Sequence, residues 1–146
     1  MNKDLMNLLV PYKSIVTSTL KPEQAMCVEF ANTMRQMTLE GKLPFIWYHI
    51  PNEFLPSKRV NYSFELKQKH MGKICGVPDY CFIGKEHSFF IEFKASKGKQ
   101  TDSQKHFEGW CQMIGIEYHL CRSYEEGMVV LRKKLELTKE GGGRYK

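Results

Sequence analysis

The segment 87–96, HSFFIEFKAS, constrains this chain more than any other stretch. Taken as a strand, it puts Phe89, Ile91, Phe93 and Ala95 on one face and Phe90, Glu92 and Lys94 on the other, because successive side chains point to opposite sides. One face suits only a core. The other carries charge where an apolar run ends. The preceding segment 76–83 holds a similar conflict, since Asp79 shares its face with Val77, Cys81 and Ile83, residues that expect burial. A carboxylate in such company requires a partner or a metal. A turn near Gly84-Lys85-Glu86 joins the two segments as neighbouring strands. Taken singly, Pro78-Asp79 reads equally as an ordinary turn, and Glu92 with Lys94 as the solvated end of an edge strand.

Around this pair the chain alternates helical and strand patterns. Residues 21–40 predict a helix, with Pro22 in its first turn and Gly41 just past its end. Met26, Phe30, Met34 and Met37 form its apolar stripe, and Glu23, three residues before Met26, falls on the same stripe and so faces the sheet. Glu29 falls instead with Asn32, Thr33 and Gln36 on the polar face. Residues 45–50 are aromatic and β-branched between Pro44 and Pro51, which predicts a strand, with Asn52-Glu53 in the loop after it.

Residues 55–75 turn basic, with Lys58, Arg59, Lys67, Lys69 and Lys73 opposed only by Glu65 and interleaved with Tyr62, Phe64 and His70. A short helix over 64–71 ending at Gly72 fits that pattern. After the strand pair, Ser96-Lys97-Gly98-Lys99-Gln100 is a polar, cationic loop, and Thr101 or Asp102 caps a helix ending at Gly115. Gln104, Phe107, Cys111 and Ile114 make that helix's inward stripe, so Gln104 points back toward the strands. A fourth strand is predicted over 116–121. A last helix opens at Ser123, with Tyr124, Met128, Leu131 and Leu135 facing the core. Residues 1–20 form an extension whose short apolar groups favour no one arrangement. Residues 139–146, with Gly141-Gly142-Gly143, carry no stripe and predict a disordered basic tail.

A chain of 146 residues has room for one domain with a real core, here residues 21–138. A formal charge of +6 suits a polyanionic partner, though many proteins with such a balance bind none. The five cysteines form no CxxC pair, so neither a zinc knuckle nor a disulfide framework is indicated, and a reducing cytoplasm is the expected setting. No signal-peptide architecture opens the chain. No apolar run approaches the roughly 20 residues needed to span a bilayer. None of the five histidines forms a spaced metal-ligand pair; His49 and His119 read as core or rim residues.

Asp79, Glu92 and Lys94 bring two carboxylates and an ammonium together, the group types that metal-assisted phosphodiester cleavage requires. At these residues the chain resembles the VRR-NUC family, virus-type replication and repair nucleases within the PD-(D/E)XK superfamily. The resemblance runs from about Glu23 to Ser123. Its anchors are Ile50-Pro51-Asn52-Glu53, Met71-Gly72, Gly76-Val77-Pro78-Asp79, Ile91-Glu92-Phe93-Lys94, and Gly98-Lys99-Gln100 with Gln104. It departs at Cys27, where the resemblance implies glutamine.

The resemblance implies an α/β, restriction-endonuclease-like core, with a mixed central sheet flanked by helices in the order α-β-β-β-α-β-α. It also implies dependence on Mg²⁺ or Mn²⁺ and action on branched DNA. Asp79, Glu92, the carbonyl of Phe93 and Glu23 become the expected metal ligands. Lys94 becomes the residue that orients the attacking water or stabilises charge at phosphorus, and Gln104 the one that orders the site. Lys58, Arg59, Lys67, Lys69, Lys73, Lys97, Lys99 and Gln100 are the expected DNA contacts. A homodimer resolving Holliday junctions is the leading expectation. A monomeric flap or fork nuclease, a non-catalytic DNA-binding module on the same fold, and an RNA-directed nuclease remain alternatives.

Overall fold

A computed structural model describes residues 2–51 and 62–142 of the chain. Its elements are α1 (Lys3–Leu9), a 3-10 turn (Thr17–Thr19), α2 (Pro22–Leu39), β1 (Phe45–His49), α3 (Tyr62–His70), β2 (Tyr80–Gly84), β3 (Ser88–Phe93), α4 (Asp102–Ile114), β4 (Glu117–Cys121) and α5 (Tyr124–Gly142). The result is a mixed α/β fold: one four-stranded sheet in the order β1-β2-β3-β4, with helices on both faces. The first three strands pair antiparallel, and β3 pairs with β4 in parallel. A parallel pair needs a crossover, and α4 supplies it.

Strand alternation divides the sheet as the sequence predicts. Phe89, Ile91 and Phe93 of β3 are buried with Tyr80 and Phe82 of β2 on one face. There α2 and α5 cover them, through Phe30, Met34, Met128 and Leu131. Phe30 meets Tyr80 and Phe93 edge-on at ring-centroid distances of 5.2 and 5.1 Å, and Phe82 stacks on Phe89 at 4.6 Å. Burial of each such ring stabilises the fold by roughly 1.5–3 kcal/mol.

The other face carries Cys81, Phe90 and Glu92, in register through the Cys81–Phe90 pairing. Here α4 is the cover: Phe107 packs on Phe90 at 5.3 Å, and Cys111 is buried beside it. This cover is partial. Ile46 and Tyr48 of β1 and Ile83 of β2 stay exposed, and so does Ile114 at the end of α4. The expected burial of Ile83 and Ile114 therefore does not hold, because α4 packs along β3 and β4 and leaves the β1–β2 end of this face open.

Other departures are local. The segment 76–79 is irregular, and Asp79 sits on a bend before β2, yet the ladder reaches it because Ile50 N–H donates to the Asp79 carbonyl at 2.8 Å. Lys94 lies just past β3 and stays in register by donating its N–H to the Cys121 carbonyl at 2.9 Å. The tail expected over 139–146 is helical as far as Gly142. A long packed helix propagates through weak helix formers, since each glycine costs only about 1 kcal/mol. Within residues 2–20, whose arrangement the sequence left open, α1 is tied to α2: the guanidinium of Arg35 donates through Nε to the Leu9 carbonyl at 2.8 Å. Among the described residues, no helix is long and apolar enough to cross a membrane.

Candidate functional site

Where β2 and β3 meet the start of α4, two carboxylates stitch the backbone together. Asp79 Oδ2 accepts from Phe93 N–H at 2.7 Å, and Glu92 Oε2 accepts from Asp79 N–H at 3.1 Å. Each acid thus binds the other's strand. Glu92 Oε1 accepts from Gln104 Nε2 at 2.8 Å and faces Lys94 Nζ at 3.4 Å. Glu23, from the first turn of α2, accepts the N–H of Ala95 on Oε1 at 3.1 Å. Five residues separated in sequence by up to 81 positions (104 − 23) therefore converge on the end of one strand.

These are not solvated edge groups. Glu92 is 2 % exposed, Lys94 8 % and Gln104 8 %. Burial pushes the Glu92 carboxyl up to about 7; the neighbouring Asp79 charge adds to this, and Lys94 opposes it. Asp79 is likewise raised by burial, against the pull of the Phe93 N–H, His49 and Lys94. Two acids with raised pKa values beside one ammonium are characteristic of sites that carry out chemistry, although ion-pair networks also produce them.

Local structure fixes these positions. Gln104 is both a cap and a site residue: its Oε1 accepts from Thr101 N–H at 2.8 Å, while Thr101 Oγ1 accepts from Gln104 N–H at 3.2 Å. This reciprocal capping box sets the first turn of α4 and aims the Gln104 amide at Glu92. Gly76, at φ +82°, allows that helix to close on the Asp79 loop. A Cβ there would lie 2.3 Å from the Ser103 carbonyl carbon and 2.6 Å from Gln104 N. Gly98 makes a comparable approach to Glu23, whose Oε1 would lie 2.9 Å from a Cβ.

A cleft of about 1050 Å³ opens over this cluster, reached by Glu23, Asp79, Glu92, Lys94 and Gln104 and also by Cys27 and His49. The donor set suits a hard cation: carboxylate oxygens from three segments, with Asp79 and Glu23 each using one oxygen on backbone and keeping a second. As it stands, Glu92 is turned onto protein donors, and among the described residues no group of three or more His, Cys, Asp or Glu is drawn together closely enough to hold an ion. Phe93 brings its backbone to the cluster while its ring lies in the core.

The expected DNA contacts are scattered by comparison. Lys58, Arg59 and the loop acid Glu53 fall outside the described residues. Lys67 and Lys69 are exposed on α3, Lys73 is paired with Glu65 at 3.2 Å, and Lys97 and Lys99 are exposed on the loop after Lys94. Gln100 is already committed, because its Nε2 donates to Glu108 at 2.8 Å and Tyr118 at 3.3 Å. Glu29 is exposed, away from Glu23.

Three contributors were given no part in the site by the sequence reading. His49 ends β1 and lies on the cleft. Arg122 donates to the carbonyls of Ala95 and Gly98, both at 2.8 Å, and braces the loop after Lys94. Pro11, Lys13, Ser14, Ile15, Thr17, Leu20 and Lys21 line one wall of the cleft. No periodicity marks such long-range contacts. Cys27, the departure from the motif, also borders the cleft; burial and the Asp79 charge raise its pKa, so it stays a thiol. Comparison with family models, curated proteins and solved structures finds no match, so the geometry carries the functional reading.

Proposed function

We propose that the chain is a divalent-metal-dependent, structure-specific DNA endonuclease of the PD-(D/E)XK type, similar to VRR-NUC nucleases. The observation that carries this reading is the convergence of Asp79, Glu92, Glu23 and Lys94 at one cleft, on neighbouring segments tied by reciprocal carboxylate–backbone bonds. An ordinary buried ion pair needs one carboxylate per ammonium. Here Glu92 pairs with Lys94, while Asp79 and Glu23 border the same cleft bonded to backbone N–H groups and, among the described residues, to no ammonium, which leaves carboxylates that a bound cation would neutralise.

Asp79, Glu92, the Phe93 carbonyl and Glu23 would hold Mg²⁺ or Mn²⁺, which would neutralise charge at phosphorus and lower the pKa of a water. Lys94, fixed by Glu92, would direct its ammonium at that water or at the charge developing on the phosphate. Gln104 keeps Glu92 oriented. Glu92 must ionise to join the ligand set, so metal affinity should fall below about pH 7. Holliday junction resolution by a homodimer is the substrate reading we favour, since two symmetric sites match two symmetric strands. Localisation in the cytoplasm and cleavage that leaves a 5′-phosphate and a 3′-hydroxyl, as the resemblance implies, belong to the same proposal.

Incubation with supercoiled plasmid and a labelled panel of junctions, flaps, duplexes and RNA, with Mg²⁺ or Mn²⁺, tests it directly. We expect nicking that Asp79→Asn abolishes, with paired cuts on the four-way junction. DNA binding without cleavage by the wild type would instead identify a non-catalytic module. Cleavage of flaps by a strict monomer would replace junction resolution.

A further inference from the structure

We propose that the segment Pro11–Lys21 grips the DNA strand beside the scissile phosphate, with Lys13 and Lys21 on backbone phosphates and Tyr12 stacking on an unpaired base. This rests on the nuclease reading above and adds a binding surface to it. One cleft joins the two regions: Asp79 and Glu92 lie on it together with Lys13 and Lys21. The acids repel a phosphate backbone on their own. Cations on the same cleft offset that repulsion for the phosphates on either side of the one being cut.

Packing does not explain the composition of this segment. It is tethered at both ends, by Arg35 on the Leu9 carbonyl and by its continuation into α2 at Pro22. Between those tethers every residue from Val10 to Thr19 is exposed, including Tyr12 at 94 %, Val16 at 66 % and Ile15 at 57 %. Ile15 lines the cleft, and Tyr12 and Val16 stand between lining residues; side chains so exposed contribute nothing to a core, but they suit the faces of unstacked bases. Lys13 and Lys21 make no ion pair among the described residues; Lys13 Nζ lies 5.8 Å from the centre of the Tyr12 ring. An exposed aromatic beside an unpaired cation, with that cation on the cleft that holds Asp79 and Glu92, matches the way proteins hold single strands.

The test compares the full-length Lys13→Gln/Lys21→Gln double variant with Lys133→Gln/Lys139→Gln, which removes the same charge from α5. Anisotropy of a labelled flap oligonucleotide across a salt series reads the contacts, and steady-state cleavage with Mn²⁺ reads KM and kcat separately. Loss of two single-strand phosphate contacts, each contributing a slope of about 0.7, should lower the slope of log K against log salt by about 1.4 and weaken binding roughly tenfold near physiological salt. KM should rise with kcat unchanged, and the α5 pair should do neither. Tyr12→Ala should weaken binding to the flap but not to blunt duplex. A slope and KM matching wild type, or an equal effect from the α5 pair, overturns the proposal while leaving a cleaving wild type as a nuclease. If wild type binds but does not cleave, the nuclease reading fails and the salt slopes still decide whether the segment holds DNA. If wild type neither binds nor cleaves, both fail.

Discussion

The two faces of the sheet are built from alternate residues of the same strands, yet they are put to opposite uses. On the face under α2 and α5, Phe82, Phe89, Ile91 and Phe93 are at most 1 % exposed and need no polar partner. On the face under α4, Glu92 and Lys94 are nearly as deeply buried, and they are tolerated only through bonds to Gln104, to Asp79 N–H and to each other. Burial on the first face stabilises the fold. On the second it costs stability, since desolvating charge is recovered only in part by pairing. Such a cost beside an open cleft is what the proposed nuclease site accounts for.

Truncation should separate the faces most sharply. Phe30→Ala removes a ring that contacts Tyr80, Phe82 and Phe93, and it should lower the unfolding free energy by about 3–5 kcal/mol in urea titration. Lys94→Ala should show the reverse balance: a smaller loss of stability, because Glu92 without its ammonium can take up a proton, with plasmid cleavage slower by about 10²–10³, the usual loss for one electrostatic contact to a transition state. A Lys94→Ala protein that cleaves at the wild-type rate would remove the mechanistic role assigned to this face.

The pH dependence of stability sharpens the contrast further. The Glu92 carboxyl sits at about 7 in the folded protein against an ordinary 4.5. Below 4.5 both folded and unfolded states hold the proton. Between 4.5 and 7 the unfolded chain releases it while the folded chain keeps it, so metal-free stability falls as pH rises through that window and levels off above it. The loss should amount to about 3 kcal/mol, with Asp79, also raised, contributing in the same direction. Glu92→Gln should flatten most of this slope and be more stable than wild type at pH 8 by a similar amount, as read from melts at pH 5 and pH 8. A stability that rises from pH 5 to pH 8 would show that Glu92 is ionised and well paired without metal.

How far each face was legible in the sequence follows from the range of its contacts. The apolar face was readable because a period of two in β3 and an apolar stripe in α2 are local patterns, and Phe30, Met34, Phe89 and Ile91 fall where those patterns put them. Glu23 and Gln104 could be oriented by the same logic, since each begins a stripe whose later members are buried. What stayed hidden depends on register and on tertiary docking. His49 reaches the cleft only because β1 pairs with β2 at Tyr80. Residues 11–20 reach the cleft through docking on α2, which includes the Arg35 bond to the Leu9 carbonyl just before them. The exposure of Ile83 and Ile114 depends on how much of the sheet one helix can cover.

Arg122 gives the smallest and most diagnostic effect, because it belongs to neither face and serves only one of them. It directly follows β4, yet it donates to the carbonyls of Ala95 and Gly98, 27 and 24 positions away, and so closes the loop that follows Lys94. That loop is what Glu23 binds through Ala95 N–H and packs against at Gly98. The guanidinium is exposed and its hydrogen bonds go to backbone carbonyls of the loop, so Arg122→Ala should cost only about 1–1.5 kcal/mol of stability, the net worth of a hydrogen-bonded group near solvent. Its effect on cleavage should be larger in proportion. A loosened loop lets Glu23 drift, which weakens the cation site and raises the Mn²⁺ concentration needed for half-maximal nicking several-fold, while the rate at saturating metal recovers. Lys at 122 keeps the charge but cannot span both carbonyls, so it should rescue only partly. If Arg122→Ala lowers the saturated rate and leaves the metal requirement unchanged, the loop positions Lys94 rather than Glu23, and the polar face is organised from β4 instead of from α2.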